Sequence, residues 1–395
     1  MSLGRILVTL KTMPASRSFV IFSASYPPHM GGVETFTKNA ALGLAAKGHD
    51  VCVVTNDTNN CGAGFSAEDG FDVLRLPCFP LVNGRLPIPK KNAEWRSLVK
   101  ELGRRHVDGV LVNARFYPHT LLGVRLAKQW GVTPVVLDHG SAYLSFSNPV
   151  LDPIVRLYEH AITARVKSCD PVFYGISARS VEWLKTFGIE ACGVIPNAID
   201  ARDYVARASG RDFRSELALS QDAFVVAFVG RLIPEKGIPA LVEASNSPEI
   251  GNRGIVFVIA GEGPLKDQVK AAEGPTLRYV GRLGQADVAA LLKQSNLLCL
   301  PSRSEGFSTT LLEAAACGCP ALVTDVGGAR ELIPDESYGT ILPSMSGEDV
   351  LDSVAALRNN PQVLAGQSEN CLRIADRNFS WESTASKLEQ AMLLD

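Results

Sequence analysis

Arg231 and Lys236 stand five residues apart, just after the apolar run Phe224 to Val229, which reads as a β-strand. A strand that delivers Gly230-Arg231 and then a lysine to its carboxyl end offers a bidentate guanidinium and a point-charge ammonium, a pair suited to a diphosphate. Two solvated surface cations would look the same in isolation, so other signals must decide. A second segment, Pro301 to Glu313, follows a strand ending at Leu300 and enters a helix that begins near Ser308 and stops at Gly318, with Pro320 barring its continuation. Amides and hydroxyls of Ser308, Thr309 and Thr310 at that helix start can bind phosphate. Glu305 in the loop and Glu313 inside the helix would repel phosphate, so they must serve something else; a carboxylate accepts two hydrogen bonds from a vicinal diol. His139, in Asp138-His139-Gly140 after the strand Pro134 to Leu137, could donate or accept a hydrogen bond near neutral pH, although a lone histidine is more often structural. Gly31-Gly32 precedes a helix from about Val33 to Lys47, with Val33, Phe36, Ala40 and Leu44 on one face. Such a pair lets backbone approach an anion, or simply makes a tight turn.

All four places lie at strand ends, so the elements behind them matter. Short β-branched runs alternate with helix-period segments throughout the 395 residues, the pattern of βα units and parallel sheets. The first half predicts strands at 19–22, 50–55, 72–76, 109–113, 134–137, 172–176 and 192–195; the second predicts 224–229, 256–260, 277–280, 297–300, 321–324 and 340–342. The fold class expected is α/β, with two facing doubly wound Rossmann-like domains and a cleft between them, where strand ends and helix N-termini offer unpaired amides. Residues 1–198 form the first domain, 199–377 the second and 378–395 a C-terminal helix, with a linker near Pro196 to Ser220.

Composition narrows the function. Hydrophobic residues make up 46% and charged residues 20%, which excludes disordered, collagen-like and coiled-coil classes. The longest apolar runs are far too short to span a bilayer, and no secretory signal is visible; the residues before Ser18 read as a leader or a non-native addition. Nine scattered cysteines predict reduced thiols in a cytosol, and Cys317-Gly318-Cys319 lacks the second ligand pair that zinc needs. Residues 1–198 carry 21 Lys+Arg against 15 Asp+Glu, a balance of +6, whereas the remainder balances at −8. That asymmetry is too mild for a nucleic-acid binder.

Taken in order, Gly230-Arg231-Leu232-Ile233-Pro234-Glu235-Lys236-Gly237, Ala260-Gly261-Glu262-Gly263-Pro264-Leu265, Tyr279-Val280-Gly281-Arg282-Leu283, Glu305 with seven residues before Glu313, Gly318-Cys319-Pro320 and Asp325-Val326-Gly327-Gly328 resemble family 4 of the retaining glycosyltransferases, whose fold is GT-B. Gly31-Gly32, Pro196-Asn197 and Phe379-Ser380-Trp381 extend the resemblance over nearly the whole chain. It implies that Arg231 and Lys236 hold the donor diphosphate, that Glu313 binds the ribose, and that Glu305 meets sugar hydroxyls near C3 and C4. Backbone at Gly281, Arg282 and Leu283 would line the nucleobase, amides of Gly306, Phe307, Ser308 and Thr309 would complete the phosphate site, and Gly32 would approach it from the first domain. His139 would lie beside the transferred sugar, which makes His139, Arg231, Lys236 and Glu305 the catalytic set. Two residues depart from the family pattern: Ser308 and Ala198 each stand where glycine is usual.

The donor expected is a UDP- or GDP-sugar, with no metal and no other cofactor, and the mechanism a front-face transfer with retention. Cationic stabilisation of the departing diphosphate should contribute most to its rate. Alternatives are a nucleotide-sugar epimerase of the same fold and a non-catalytic nucleotide-sugar-binding protein. A dinucleotide oxidoreductase is disfavoured because Lys266 occupies the position of the third fingerprint glycine. For the acceptor, residues 92–106 read as a basic amphipathic helix, with Trp95, Leu98, Val99 and Leu102 against Lys91, Arg96, Lys100, Arg104 and Arg105, preceded by an apolar loop with Phe79, Leu81, Val82, Leu86 and Ile88. Either it is an ordinary helix packed on its sheet, or it draws a cytosolic enzyme to an anionic inner membrane face, beside a saccharide or lipid-linked acceptor.

Overall fold

The computed structural model describes residues 16–394 apart from 30, 82, 83, 85 and 145–148, so residues 1–15 of the expected leader and Val82 of the apolar loop lie outside the described residues. Alternation organises the first half. Phe19, Ile21, Val51, Val53, Leu111, Val135 and Leu137 pack on one face of a sheet, while Val20, Phe22, Cys52, Val54, Val110, Val112 and Val136 pack on the other. Both faces are buried, as a parallel sheet requires.

The strands of this half are β1 (Ser18–Phe22), β2 (Asp50–Asn56), β3 (Gly64–Glu68), β4 (Phe71–Leu76), β5 (Cys78–Leu81), β6 (Leu86–Pro89), β7 (Gly109–Asn113), β8 (Pro134–Asp138) and β9 (Val172–Gly175). Seven of them form one sheet in the order β3-β4-β2-β1-β7-β8-β9, parallel except for β3 against β4. The second half contributes β10 (Phe224–Val229), β11 (Ile255–Ala260), β12 (Leu277–Gly281), β13 (Leu297–Leu300), β14 (Ala321–Val323) and β15 (Thr340–Ile341), in the order β12-β11-β10-β13-β14-β15. In each sheet the order reverses beside the first strand of that half, and the crevice there is where an open α/β sheet takes a ligand.

The chain passes between the halves twice. Ile199 N donates to Phe379 O at 2.7 Å, and Thr384 Oγ1 donates to Pro196 O at 3.2 Å, so the two crossings are tied together. The helix Trp381–Met392 then lies on the first half, placing Leu388, Ala391 and Met392, one face by their spacing, in the same core as Phe19 and Ile21. Ala198 keeps a negative φ and its N–H is taken by Asn197 Oδ1 at 2.9 Å, so this position needs no glycine.

Three expectations are corrected. Residues 192–195 form no strand: they make only a single bridge, Gly175 with Val194. The strand β3 and the β5–β6 hairpin add to the expected elements, because 64–68 and 78–89 lack the sustained apolar period that would announce them. The helix expected at 92–106 spans Ala93–Leu102, started by Asn92, whose side chain accepts from Trp95 N at 2.8 Å. Its apolar stripe faces inward: Trp95, Leu98 and Val99 pack on the first-half core and Leu102 is buried, leaving Lys91, Arg96, Lys100 and Arg104 in solvent. That is a packed helix with a solvated polar face, and its apolar side is already used.

Candidate functional site

In the second half the site grows from two loops packed on one another. Gly237 has φ 73°, and a Cβ there would lie 2.2 Å from Pro301 O, so only glycine lets the turn after Pro234–Lys236 rest on the loop after β13. Arg303 N donates to Glu235 O at 2.8 Å across the same contact. Lys236 is thereby brought to Glu305: its Nζ pairs with Glu305 Oε1, which also accepts from Ser302 Oγ at 2.8 Å. Arg231 stays exposed, with no ion pair among the described residues.

Beyond Glu305 the chain enters the helix Thr309–Ala316, capped by Ser308, whose hydroxyl accepts from Leu311 N at 3.3 Å. Ser308 has φ −70°, ordinary for an L-residue, and serine here contributes a cap that glycine could not. The backbone N–H groups of Gly306, Phe307, Ser308, Thr309 and Thr310 make no hydrogen bond to any described residue. Unsatisfied donors at a helix start can bind an anion. One and a half turns on, Glu313 is half-buried, and desolvation raises its pKa to about 7. Its negative charge is felt by Tyr204, on the helix Ala201–Ala206, whose hydroxyl is buried without a partner among the described residues. Gly281, with φ 71°, has open space beside its Cα, followed by exposed Arg282 and half-buried Leu283.

The first half supplies the facing wall. His139 Nε2 lies 2.9 Å from Asn113 Oδ1, and its ring meets the Phe36 ring edge-on at 5.0 Å. Burial holds the imidazole neutral, with its pKa lowered to about 3. A Cβ on Gly306 would fall 1.9 Å from His139 O, and Ser141 Oγ donates to Glu305 O, so the two halves touch at the predicted site. Further along the interface Ala178 N donates to Glu331 Oε1 at 2.7 Å, and Phe307 packs into both cores. Gly32 opens the helix Gly32–Ala46, exposed and with nothing within 4 Å of a built Cβ, which leaves its backbone approachable. Behind His139 lies a buried charge cluster. Arg115 Nη2 donates to Glu159 Oε2 at 2.9 Å, its Nε is 3.9 Å from Asp138 Oδ2, and the guanidinium stacks 3.8 Å over the Phe187 ring.

The structure therefore brings Lys236, Glu305, Gly306 and His139 together, whereas a Cβ on Gly32 would meet nothing within 4 Å. Sequence reasoning missed Asn113, Ser141, Ser302 and Tyr204. Asn113 carried a readable signal, since it is the polar last residue of an otherwise apolar strand. A cavity of about 890 Å³ is lined by Val205, Lys293, Cys317 and Leu372 among others. A smaller pocket is lined by Ser302, Glu305, Ser308 and Thr324. Among the described residues no three His, Cys, Asp or Glu side chains gather as a metal site would require, and all nine cysteines are free thiols.

Comparison with known proteins follows the same division of the chain. A family model described as glycosyl transferases group 1 matches residues 210–375, and one described as glycosyltransferase family 4 matches residues 30–203. A D-inositol 3-phosphate glycosyltransferase of Saccharomonospora viridis is 25% identical over 383 residues, covering 91% of this chain and 88% of that protein. Sucrose-phosphate synthase from Thermosynechococcus elongatus superposes with a TM-score of 0.72 at 19% identity, over 95% of this chain and 98% of that one. Anabaena HepE in complex with UDP-glucose gives 0.67 at 16%, over 95% and 98%.

Proposed function

The chain belongs to the group 1, or family 4, glycosyltransferases, and from that premise we propose that it moves a hexose-type sugar from a nucleoside diphosphate sugar to a hydroxyl acceptor, with retention at the anomeric carbon and without a metal. One observation carries this reading: five unpaired amides from Gly306 to Thr310 stand beside Lys236 and Glu305, with Arg231 at the neighbouring strand end. Amides and cations suit a diphosphate, and a carboxylate among them suits sugar hydroxyls. HepE, which shares the fold, is described in complex with UDP-glucose.

Breaking the bond between sugar C1 and the phosphate oxygen leaves an oxocarbenium-like sugar and a diphosphate leaving group. Arg231, Lys236 and the helix amides stabilise that leaving group where its charge develops, and already-oriented dipoles need no rearrangement to do so. The departing phosphate oxygen takes the acceptor's proton on the face it leaves, which gives retention. Glu305 and His139 hold sugar hydroxyls, Glu313 holds the ribose, Gly281 to Leu283 flank the base, and Gly32 meets the phosphates. Incubation with UDP- and GDP-sugars after a thermal-shift screen, with and without chelator, tests this. The expected product keeps the donor's anomeric configuration by NMR at a chelator-independent rate. An inverted anomer, metal-dependent turnover or epimerised free donor would refute it.

For the acceptor, the reading is a lipid-linked or otherwise anionic molecule met at an anionic inner membrane face by an enzyme of the cytosol. The first-half balance of +6 supports it, as does the relative named for D-inositol 3-phosphate. No helix of the described residues is long and apolar enough to cross a membrane, so contact would be peripheral.

A further inference from the structure

A chain of three hydrogen bonds runs from the helix start at Gly32 to the imidazole of His139, and its polarity is set by an acceptor that cannot donate. Thr37 Oγ1 lies 2.7 Å from Val33 O, and a carbonyl can only accept, so the single hydroxyl proton of Thr37 is spent there. Toward Asn113 the hydroxyl therefore accepts, and the atom facing it at 2.9 Å must be the amide Nδ2. That orientation turns Asn113 Oδ1 to His139 Nε2 at 2.9 Å. The amide oxygen has no proton, so Nε2 carries one. The reverse arrangement would need a second proton on the Thr37 hydroxyl or the loss of its bond to Val33.

The surroundings keep this arrangement neutral and rigid. Asn113 and Thr37 are buried, and the Phe36 ring edge packs on the imidazole while Trp381 of the C-terminal helix backs Phe36 at 5.6 Å. Among the described residues Nδ1 of His139 has no hydrogen-bond partner, although the histidine backbone touches Gly306 at the donor loop. A neutral imidazole protonated on Nε2 offers Nδ1 as an acceptor only.

We propose that Asn113 and Thr37 are positioning residues that lock His139 in the Nε2–H tautomer, so that Nδ1 accepts a hydrogen bond from a hydroxyl of the donor's sugar. The sugar part rests on the glycosyltransferase reading above; the tautomer part does not. A further consequence is mechanical. Thr37 lies on the helix that begins at Gly32, so the glycine turn meeting the phosphates and the histidine meeting the sugar are held in one register.

The test is long-range ¹H–¹⁵N NMR of protein labelled at histidine nitrogen, at pH 7, with His139 assigned by His139→Gln. Wild type is expected to show Nε2 protonated and Nδ1 bare. On titration, UDP-glucose or GDP-mannose, whichever gives a thermal shift, should move the Nδ1 resonance, and plain UDP or GDP should not. Asn113→Leu should mix the tautomers and lower kcat about 10- to 100-fold while nucleoside diphosphate affinity stays within about twofold. Asn113→Asp keeps an acceptor toward Nε2 and should retain the Nε2 proton, while the Thr37 hydroxyl proton must turn from Val33 O to the carboxylate. Thr37→Val frees the amide to flip and should populate Nδ1–H, giving a second reading should Asn113→Leu fold poorly. An Nδ1–H or charged His139 in wild type overturns the proposal, as does an Asn113→Leu protein with unchanged tautomer and rate, or an Nδ1 response equal for sugar nucleotide and plain nucleotide. Should no sugar nucleotide bind, the functional reading and the sugar contact fall together, while the tautomer still decides the positioning role.

Discussion

Lys236 Nζ is paired with Glu305 Oε1, so the cation expected to meet the diphosphate is neutralised by the carboxylate expected to meet the sugar. The pair is shielded from solvent on both sides, where such contacts weigh more than on an open surface. A donor must therefore exchange one partner for two: phosphate oxygens for Lys236 and hydroxyls for Glu305.

Removing that competition should separate binding from turnover. Glu305→Gln is expected to leave plain nucleoside diphosphate affinity equal or several-fold tighter, because Lys236 is freed, while donor turnover falls at least 10-fold. Arg231→Ala and Lys236→Ala should each lower the transfer rate on the order of 100-fold or more, as lost anion-stabilising donors do. Calorimetry with the diphosphate and initial rates with the donor read the two effects. Weakened diphosphate binding in Glu305→Gln, or unchanged turnover in either cation mutant with native circular dichroism, would break the division of roles.

Glu313, proposed to hold the ribose, should tie nucleotide binding to protons. Its pKa, raised by burial from 4.5 to about 7, means the folded protein holds a proton there that the unfolded chain releases earlier. The folded state is thus penalised increasingly as pH climbs from about 4.5 to about 7, by up to about 3 kcal/mol above that window. Glu313→Gln removes the penalty, so its melting temperature should exceed wild type at pH 8 and converge with it near pH 4.5. Ribose hydroxyls favour the carboxylate, so nucleoside diphosphate binding at pH 6.5 should release a proton, seen as a binding enthalpy that depends on the buffer's ionisation heat. The mutant should show no such release and bind the diphosphate at least 10-fold more weakly. A buffer-independent enthalpy in wild type would remove Glu313 from the ribose.

Arg115 predicts a stability effect without contact to the cleft ligand. It sits beside Asp138 and Glu159, all three almost wholly buried, and burial pushes both carboxyl groups above their usual range. Glu159 Oε1 also accepts from Leu144 N at 2.8 Å, fixing the chain that leaves His139. Arg115→Ala leaves buried carboxylates without a cation and should cost about 3–5 kcal/mol, read as a lower urea midpoint. A loss under about 1 kcal/mol would show that water reaches the cluster.

The parts of this site that were legible in the sequence are those made by one segment. Lys236, Glu305, Ser308 and Glu313 could be placed because a strand end, a cap and a helix period determine where each goes. What escaped was made by the fold. Asn113 and Thr37 lie 76 positions apart and meet only after β7 and the helix Gly32–Ala46 pack; Arg115 and Glu159, 44 apart, pair only inside the finished core. The helix Ala93–Leu102 shows another limit, for the sequence left it between core packing and a membrane face: an amphipathic period says that one face is buried, and says nothing of what buries it.

The inward packing of that helix moves the membrane question to other side chains. The described apolar residues left in solvent on the first half include Phe79 and Leu81 on the β5–β6 hairpin, 51% and 50% exposed, and Ile154 and Leu157 on the helix Leu151–Lys167, 60% and 71% exposed. Exposed Arg156 and Arg165 share that helix. Burying each of these apolar side chains in a headgroup layer is worth about 1.5–3 kcal/mol at full transfer, and each basic residue near an anionic surface about 1 kcal/mol, so a few of each suffice for reversible docking. Cosedimentation with vesicles of mixed phosphatidylglycerol and phosphatidylcholine, against pure phosphatidylcholine, should show binding to the anionic set alone at low salt, fading as the Debye length shrinks from about 30 Å to about 8 Å. I154E with L157E should lose most of it, and R96E with K100E should flatten the salt dependence while leaving residual apolar binding. Equal binding to both vesicle types at low salt would end the docking idea and make a soluble, anionic small molecule the better acceptor.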